Sequence, residues 1–205
     1  MRTPSIVYWL DNSLYLNITN NCSNNCYFCI RKFRKGIDNF NLKLQSEPST
    51  EQIIKTLQGH VHRKIWNEVV FCGFGEPLSR LDTVLEVTKW ICKHTVLPVR
   101  INTNGHGYIL NPGRDVAEEL RKAGVNKISV SLNAHNAQTY QTVCKPRFEN
   151  AFQKVLEFIE KARKADINVE VTAVQIPEID LQKIRELADM LGVKFRLRRY
   201  IPCIW

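Results

Sequence analysis

The chain has 205 residues, 44% hydrophobic and 24% charged, which is enough apolar material for a sizeable core and argues against disorder. A formal net charge of +9 favours phosphates, nucleic acids or an acidic partner, although solubility accounts for such a surface equally well. No run is long and apolar enough to span a bilayer, and MRTPSIVYWLDNS contains no signal-like apolar block, so a cytoplasmic protein with no membrane partner is expected.

Strand and helix patterns alternate along the chain. SIVYWL is expected to hairpin through Asp11-Asn12-Ser13 onto the period-two strand LYLNIT, Leu14 to Thr19. STEQIIKTLQGHVHR opens with a capping-type Ser-Thr-Glu and reads as a helix. EVVFCGFG (Glu68 to Gly75) reads as a short buried strand ending in glycines, and LDTVLEVTKWICKHT as an amphipathic helix. VRINTN (Val99 to Asn104) is a strand, RDVAEELRKAG a helix closed by Gly124, and KISVSLNA (Lys127 to Ala134) a strand. A short helix, a break at Pro146 and the helix NAFQKVLEFIEKARKAD follow. INVEVTAVQ (Ile167 to Gln175) is a strand, DLQKIRELADMLG a helix closed by Gly192, and KFRLRRYIP the last strand. Alternation of this kind implies βαβ units, a mostly parallel sheet of six core strands and a single domain over residues 1–205.

Seven cysteines are present, and reduced thiols are expected in a reducing compartment. Cys72, Cys92, Cys144 and Cys203 are scattered and read as small buried hydrophobes or free thiols. Cys22, Cys26 and Cys29 lie within eight positions of the loop after LYLNIT. Thiolates this close can wrap one metal centre, either zinc or an iron–sulfur cluster. No fourth Cys or His stands nearby, and His60 and His62 are expected on a helix, on its exposed side. GFGEP, NTNGHG and SLNAHN also fall just after strands, so four segments share the carboxyl edge of the sheet, where active sites of parallel α/β folds form.

The cysteine loop, Cys22-x3-Cys26-x-Phe28-Cys29, resembles the signature of the radical S-adenosylmethionine (SAM) superfamily. Gly73-Phe74-Gly75-Glu76-Pro77 is similar to its GGEP motif, with Phe replacing the second glycine; Thr103-Asn104-Gly105 is similar to its TNG segment, and the strand Ser129 to Asn133 to its serine-bearing strand. The stretch IVYWLDNSLYLNITNNCSNNCYFCIRKF also looks like the TatD-associated radical SAM subgroup.

The resemblance implies an α/β fold, a partial (β/α)6 barrel, with a [4Fe–4S] cluster held by Cys22, Cys26 and Cys29. The iron left free by the protein would be chelated by SAM, and one-electron reduction would yield methionine and a 5′-deoxyadenosyl radical that takes a hydrogen atom from substrate. It further implies that backbone around Gly73, Phe74 and Gly75, with Glu76, holds the methionine amino group. Thr103 and Ser131, helped by Asn104 and Asn133, would meet the SAM carboxylate or ribose; backbone capping is the alternative for each. Phe28 and Val174 would pack on adenine or belong to the core. Glycines at 73 and 75 are expected to allow a backbone turn that few residues can adopt and a close approach of main-chain groups to a ligand. Alternation places Arg196 and Arg198 on one face of the last strand and Arg199 on the other; an arginine pointing into the barrel, with Arg198 the candidate, would pair with the SAM carboxylate or an anionic substrate, and surface exposure is the alternative. His106 and His135, directly after the TNG and SLN segments, read as loop histidines without a catalytic role, contact with substrate being the alternative. An electron donor such as flavodoxin or ferredoxin is implied. The substrate is left open between a nucleotide, a nucleic acid and a protein, and the rival classes are an activase or RNA- or peptide-modifying enzyme, and a non-enzymatic iron–sulfur or zinc module.

Overall fold

The structure is a computed structural model that describes residues 3–200; Cys203 lies outside them. The elements in chain order are β1 (Val7–Leu10), β2 (Ser13–Leu16), β3 (Gly36–Ile37), β4 (Phe40–Asn41), α1 (Thr50–Val61), β5 (Glu68–Phe71), α2 (Leu81–His94) and β6 (Val99–Thr103). They continue with α3 (Gly107–Leu110), α4 (Val116–Ala123), β7 (Val125–Ser131), α5 (Ala137–Cys144), α6 (Ala151–Lys164), β8 (Asn168–Val174), α7 (Leu181–Met190) and β9 (Lys194–Arg198).

Seven strands form one sheet in the order β1-β2-β5-β6-β7-β8-β9. β1 pairs antiparallel with β2, and every later neighbour pairs in parallel. Each parallel strand adds outside the one before it, so the winding never reverses. Right-handed crossovers that advance in one direction put their helices on a single face. A twisted sheet covered on one side curls around the other, which makes this a partial (β/α)6 barrel rather than a doubly wound sheet. β1 and β9 are its unpaired edges, so the barrel is open.

Alternation along the strands sorts the chemistry. In β6, Val99 and Ile101 are fully buried under the helices, while Arg100 and Asn102 point the other way. Ile128 and Val130 of β7 and Val169 and Val171 of β8 join the same core, and Ser129, Ser131, Glu170 and Thr172 face the concave side. Burying each such aliphatic side chain contributes about 1.5–3 kcal/mol.

The helix ends follow their sequence signals. Ser49 caps α1 in a reciprocal box with Gln52 rather than with Glu51, and Asp115, Asn136 and Asp180 accept backbone N–H groups at the starts of α4, α5 and α7. Gly124 closes α4 at a φ of 105°, where a side chain is strained.

The expected strands are shorter in the structure, and three of them show why. The strand at LYLNIT pairs only to Leu16, because Asn17 turns its side chain to the Ser5 and Leu42 carbonyls at 3.1 and 2.9 Å. The strand at EVVFCGFG ends at Phe71, and that at KISVSLNA ends at Ser131 before Asn133 enters the left-handed region at φ 54°. Ser13 belongs to β2, leaving Asp11 (φ 51°) and Asn12 as the hairpin turn.

The β3–β4 hairpin was not legible as an element. Tyr8, Leu42 and Phe74 form a second apolar cluster on the concave side, with Tyr15, Ile30, Ile37 and Phe40 packed on it. The hairpin thus covers the β1–β2 end of the open barrel.

Candidate cofactor site

The segments at the carboxyl ends of the strands converge on one cavity of about 430 Å³. It is bordered by Cys22, Cys26 and Cys29, by Phe28 and the backbone and side chains from Gly73 to Glu76, by Thr103, Asn104, Ser131, Asn133 and Val174, and by Arg198. Every residue singled out in the sequence as a ligand or cofactor contact is therefore brought together. Phe28 and Val174 are both cavity wall and hydrophobic core, so the two readings of these residues do not compete.

The glycines have a different cause from the one expected. Neither Gly73 nor Gly75 adopts a positive φ. A Cβ at Gly73 would stand 2.1 Å from Asn17 Oδ1, and one at Gly75 2.5 Å from the Thr19 and Asn21 carbonyl oxygens. They are needed so that the segment after β5 can press against the segment after β2.

Glu76 fixes that contact. It is 2% exposed; its carboxylate accepts from Thr103 Oγ1 at 2.7 Å, Asn104 N at 2.6 Å and Leu78 N at 3.0 Å, while its own N–H donates to the Asn21 carbonyl. Burial pushes its pKa up to about 7 against the pull of these three donors. Thr103 also accepts from Gly105 N at 3.0 Å, so its hydroxyl braces Glu76 and the turn rather than standing free for a ligand. Glu76 likewise ties the β5 and β6 ends together while bordering the cavity.

Behind the cysteine loop lies a polar network that the sequence did not disclose. Asn104 Nδ2 donates to Ser23 Oγ at 2.8 Å and approaches Cys22 Sγ at 3.7 Å. Ser23 Oγ meets His106 Nδ1 at 2.8 Å, and His106 Nε2 meets the Tyr140 hydroxyl at 3.0 Å, which also accepts from Asn24 Nδ2. His106 is fully buried, and burial lowers its pKa to about 4, so a neutral ring donates through one nitrogen and accepts through the other. It lies beneath the cysteine loop and joins Ser23 to Tyr140. His135 pairs with Asn136 at 2.7 Å and does not border the cavity.

The loop also docks on α5, where Asn25 N donates to the Cys144 carbonyl at 3.0 Å. The buried Cys144 thiol hydrogen-bonds Cys26 and holds the Cys26 thiol below its usual pKa. Burial raises Cys29, and raises Cys22 to about 11 with Glu76 adding to it. Cys72 borders the cavity as well, so two of the four scattered cysteines belong to the site after all.

Arg198 also borders the cavity. One terminal nitrogen reaches Ser131 Oγ at 3.3 Å and Asn133 Oδ1 at 3.5 Å, and its Nε is buried with no partner. No carboxylate pairs with it among the ion pairs of the described residues, so it is a desolvated cation facing a cavity. Asn133 Oδ1 also accepts from Val174 N at 3.0 Å, joining the ends of β7 and β8. Arg199 borders the cavity too: β9 ends at Arg198, so strand alternation does not carry it to the other face. Arg196 instead ion-pairs with Glu170 at 2.9 Å.

These residues suit a cluster and an anionic ligand. Among the described residues no three His, Cys, Asp or Glu side chains gather closely enough for a single metal ion. The three thiols border the cavity instead, which suits ligands to separate irons better than zinc, whose thiolates meet at about 2.3 Å from one centre. Arg198 supplies a charge for a carboxylate.

The radical SAM superfamily model matches residues 16–191. The chain belongs to the radical SAM superfamily. It is 29% identical over 193 residues to a probable GTP 3′,8-cyclase of Methanocaldococcus jannaschii, covering 93% of this chain and 59% of the relative. It is 29% identical over 197 residues to an AdoMet-dependent heme synthase of Methanosarcina barkeri, covering 93% and 49%. The chain thus spans about half to three-fifths of the length of these relatives. Neither is named for the TatD-associated subgroup. Crystal structures of methylornithine synthase (PylB) and of Streptococcus suis SuiB bound to S-adenosylmethionine share the fold, with TM-scores of 0.65 and 0.67 at 15% identity. They cover 93% of this chain and 53% and 41% of their own. As a superfamily member the chain carries a radical SAM domain, and members of that family use a [4Fe–4S] cluster and SAM. No helix among the described residues is long and apolar enough to cross a membrane.

Proposed function

We propose that Cys22, Cys26 and Cys29 hold the [4Fe–4S] cluster, that Arg198 receives the SAM carboxylate, and that the enzyme abstracts hydrogen from a phosphate-bearing substrate of the nucleotide class. The observation that carries this reading is the cavity itself, which is bordered by three thiols and by a half-buried arginine that no carboxylate pairs with and whose Nε has no partner. When bound, the cluster supplies the electron that splits SAM into methionine and a 5′-deoxyadenosyl radical.

The chain's own residues do the placing. Glu76 locks the β5 and β6 ends so that the Gly73–Gly75 backbone borders the ligand at fixed depth. Asn104 donates toward Cys22 Sγ, a contact that favours thiolate over thiol. Phe28 and Val174 provide an apolar wall for adenine. Arg199, exposed and bordering the same cavity, is the group suited to a substrate phosphate. The nucleotide class is favoured by the cyclase relatives as well as by Arg199. Residues 1–205 act as one radical SAM domain, and free thiols with an oxygen-sensitive cofactor suit the cytoplasm.

Deuterium transfer tests the substrate. Ribose-deuterated GTP and the other nucleoside triphosphates should place label in 5′-deoxyadenosine. Label arriving only from a protein or RNA substrate would replace the nucleotide reading with a macromolecule-modifying one.

A further inference from the structure

A second depression, of about 530 Å³, lies on the outer side of the cysteine loop. Five cations border it: Arg31, Lys32, Arg34, Lys35 and Lys43. No carboxylate lines it, and Asp38 stands apart at the β3–β4 turn. Phe33 is 43% exposed at this surface, an unusual setting for a large apolar ring. Phe74 borders both this groove and the cofactor cavity and so forms a wall common to the two. It is also the residue that replaces a glycine of the GGEP-like motif. Two of the cations are built into the loop: Arg31 donates to the Asn20 and Asn24 carbonyls at 3.2 and 3.1 Å, and Lys32 to that of Asn25 at 3.1 Å.

We infer that this groove docks a small acidic one-electron donor protein, which passes its electron through the shared wall. The inference rests on the cluster assignment made above. A cluster enclosed in the cavity has to be reduced from outside, and the rate of transfer falls steeply with distance. The groove lies next to the ligand loop and is positive throughout, with one exposed aromatic. Electron-transfer encounters use small interfaces steered by opposite charge, and a compact basic ring with an apolar centre fits that pattern better than an extended nucleic-acid track. The step moves one electron from a reduced [2Fe–2S] centre of the donor to the [4Fe–4S] cluster and needs no proton.

The experiment uses the full chain with an acidic plant-type [2Fe–2S] ferredoxin as probe. Binding of the oxidised ferredoxin is read by fluorescence anisotropy, and stopped-flow absorbance follows its reoxidation by the cluster-loaded protein. Lys35→Glu combined with Lys43→Glu, both exposed and outside the cavity, should weaken binding and lower the bimolecular rate at least about tenfold, and should flatten its salt dependence. Phe33→Ala should lower the rate with the salt dependence kept. Reduction by dithionite should be unchanged in each variant. Equal ferredoxin binding and rate in wild type and variants would overturn the docking surface, as would loss of single-stranded RNA binding with ferredoxin transfer intact. A wild-type protein that dithionite cannot reduce would instead strike at the cluster assignment.

Discussion

The concave face of the barrel has two halves that treat charge in opposite ways. Toward the strand starts and middle, each charge meets a partner. Arg100 holds Glu68 through two contacts of 2.7 and 2.9 Å, and Glu170 takes Lys127 at 2.8 Å as well as Arg196. Those neighbours hold Glu170 down at about 2, in spite of burial. At the strand ends, the three thiols and Arg198 face a cavity with no such neutralising partners. Paired charges across neighbouring strands join the sheet. A desolvated charge left unpaired costs stability and persists where a ligand will complete it.

Substitutions at the strand ends should remove function, and substitutions in the paired half should remove stability. The largest effect is expected at Cys26. Cys26→Ala should abolish cluster assembly, read as loss of iron, sulfide and the charge-transfer absorbance after anaerobic reconstitution, with helical circular dichroism retained. Arg198→Ala should raise the SAM dissociation constant about 10–100-fold, the value of a charge-assisted contact, measured by equilibrium dialysis. Arg100→Ala should leave SAM binding unchanged and lower the urea-unfolding free energy by about 2–4 kcal/mol, because Glu68 loses its partner. A SAM defect in Arg100→Ala of the same size as in Arg198→Ala would erase the distinction between the halves.

The smallest effect concerns pH. The folded pKa of Glu76 is raised to about 7, so its stabilising share is present below its ordinary 4.5 and lost as pH rises toward 7. The folded pKa of His106 is lowered to about 4, so the unfolded chain takes up the proton first and stability is lost as pH falls from 6.5 toward 4. These slopes oppose each other and leave the wild type nearly flat between about pH 4.5 and 6.5, each group accounting for up to about 3 kcal/mol. His106→Gln should expose a fall in urea midpoint with rising pH, and Glu76→Gln a rise. Parallel profiles in both variants would contradict the burial assigned to these two residues.

The barrel and the membership of the site were legible because both are written locally. Strand and helix periods alternate, and each functional segment directly follows a strand. What was not legible depends on contacts between distant segments. Gly73 and Gly75 look like turn glycines in sequence, yet Asn17, Thr19 and Asn21 from another strand end are what exclude a Cβ. His106 and Cys144 carry no local signal for their roles, since Ser23, Tyr140 and Cys26 reach them only when the cysteine loop folds over α5. Arg199 was misplaced because alternation was extended one residue beyond the end of β9. The β3–β4 hairpin is too short for a period to show, with two residues in each strand.

The central claim is that the unpaired half of the concave face is a cluster-and-SAM site. It is tested most directly by anaerobic reconstitution followed by incubation with SAM and dithionite, with chromatographic measurement of 5′-deoxyadenosine. About four iron and four sulfide per chain, with 5′-deoxyadenosine formed by the wild type and not by Cys26→Ala, is the predicted result. Tightly bound zinc with no cleavage of SAM, or cleavage that survives Cys26→Ala, would contradict it.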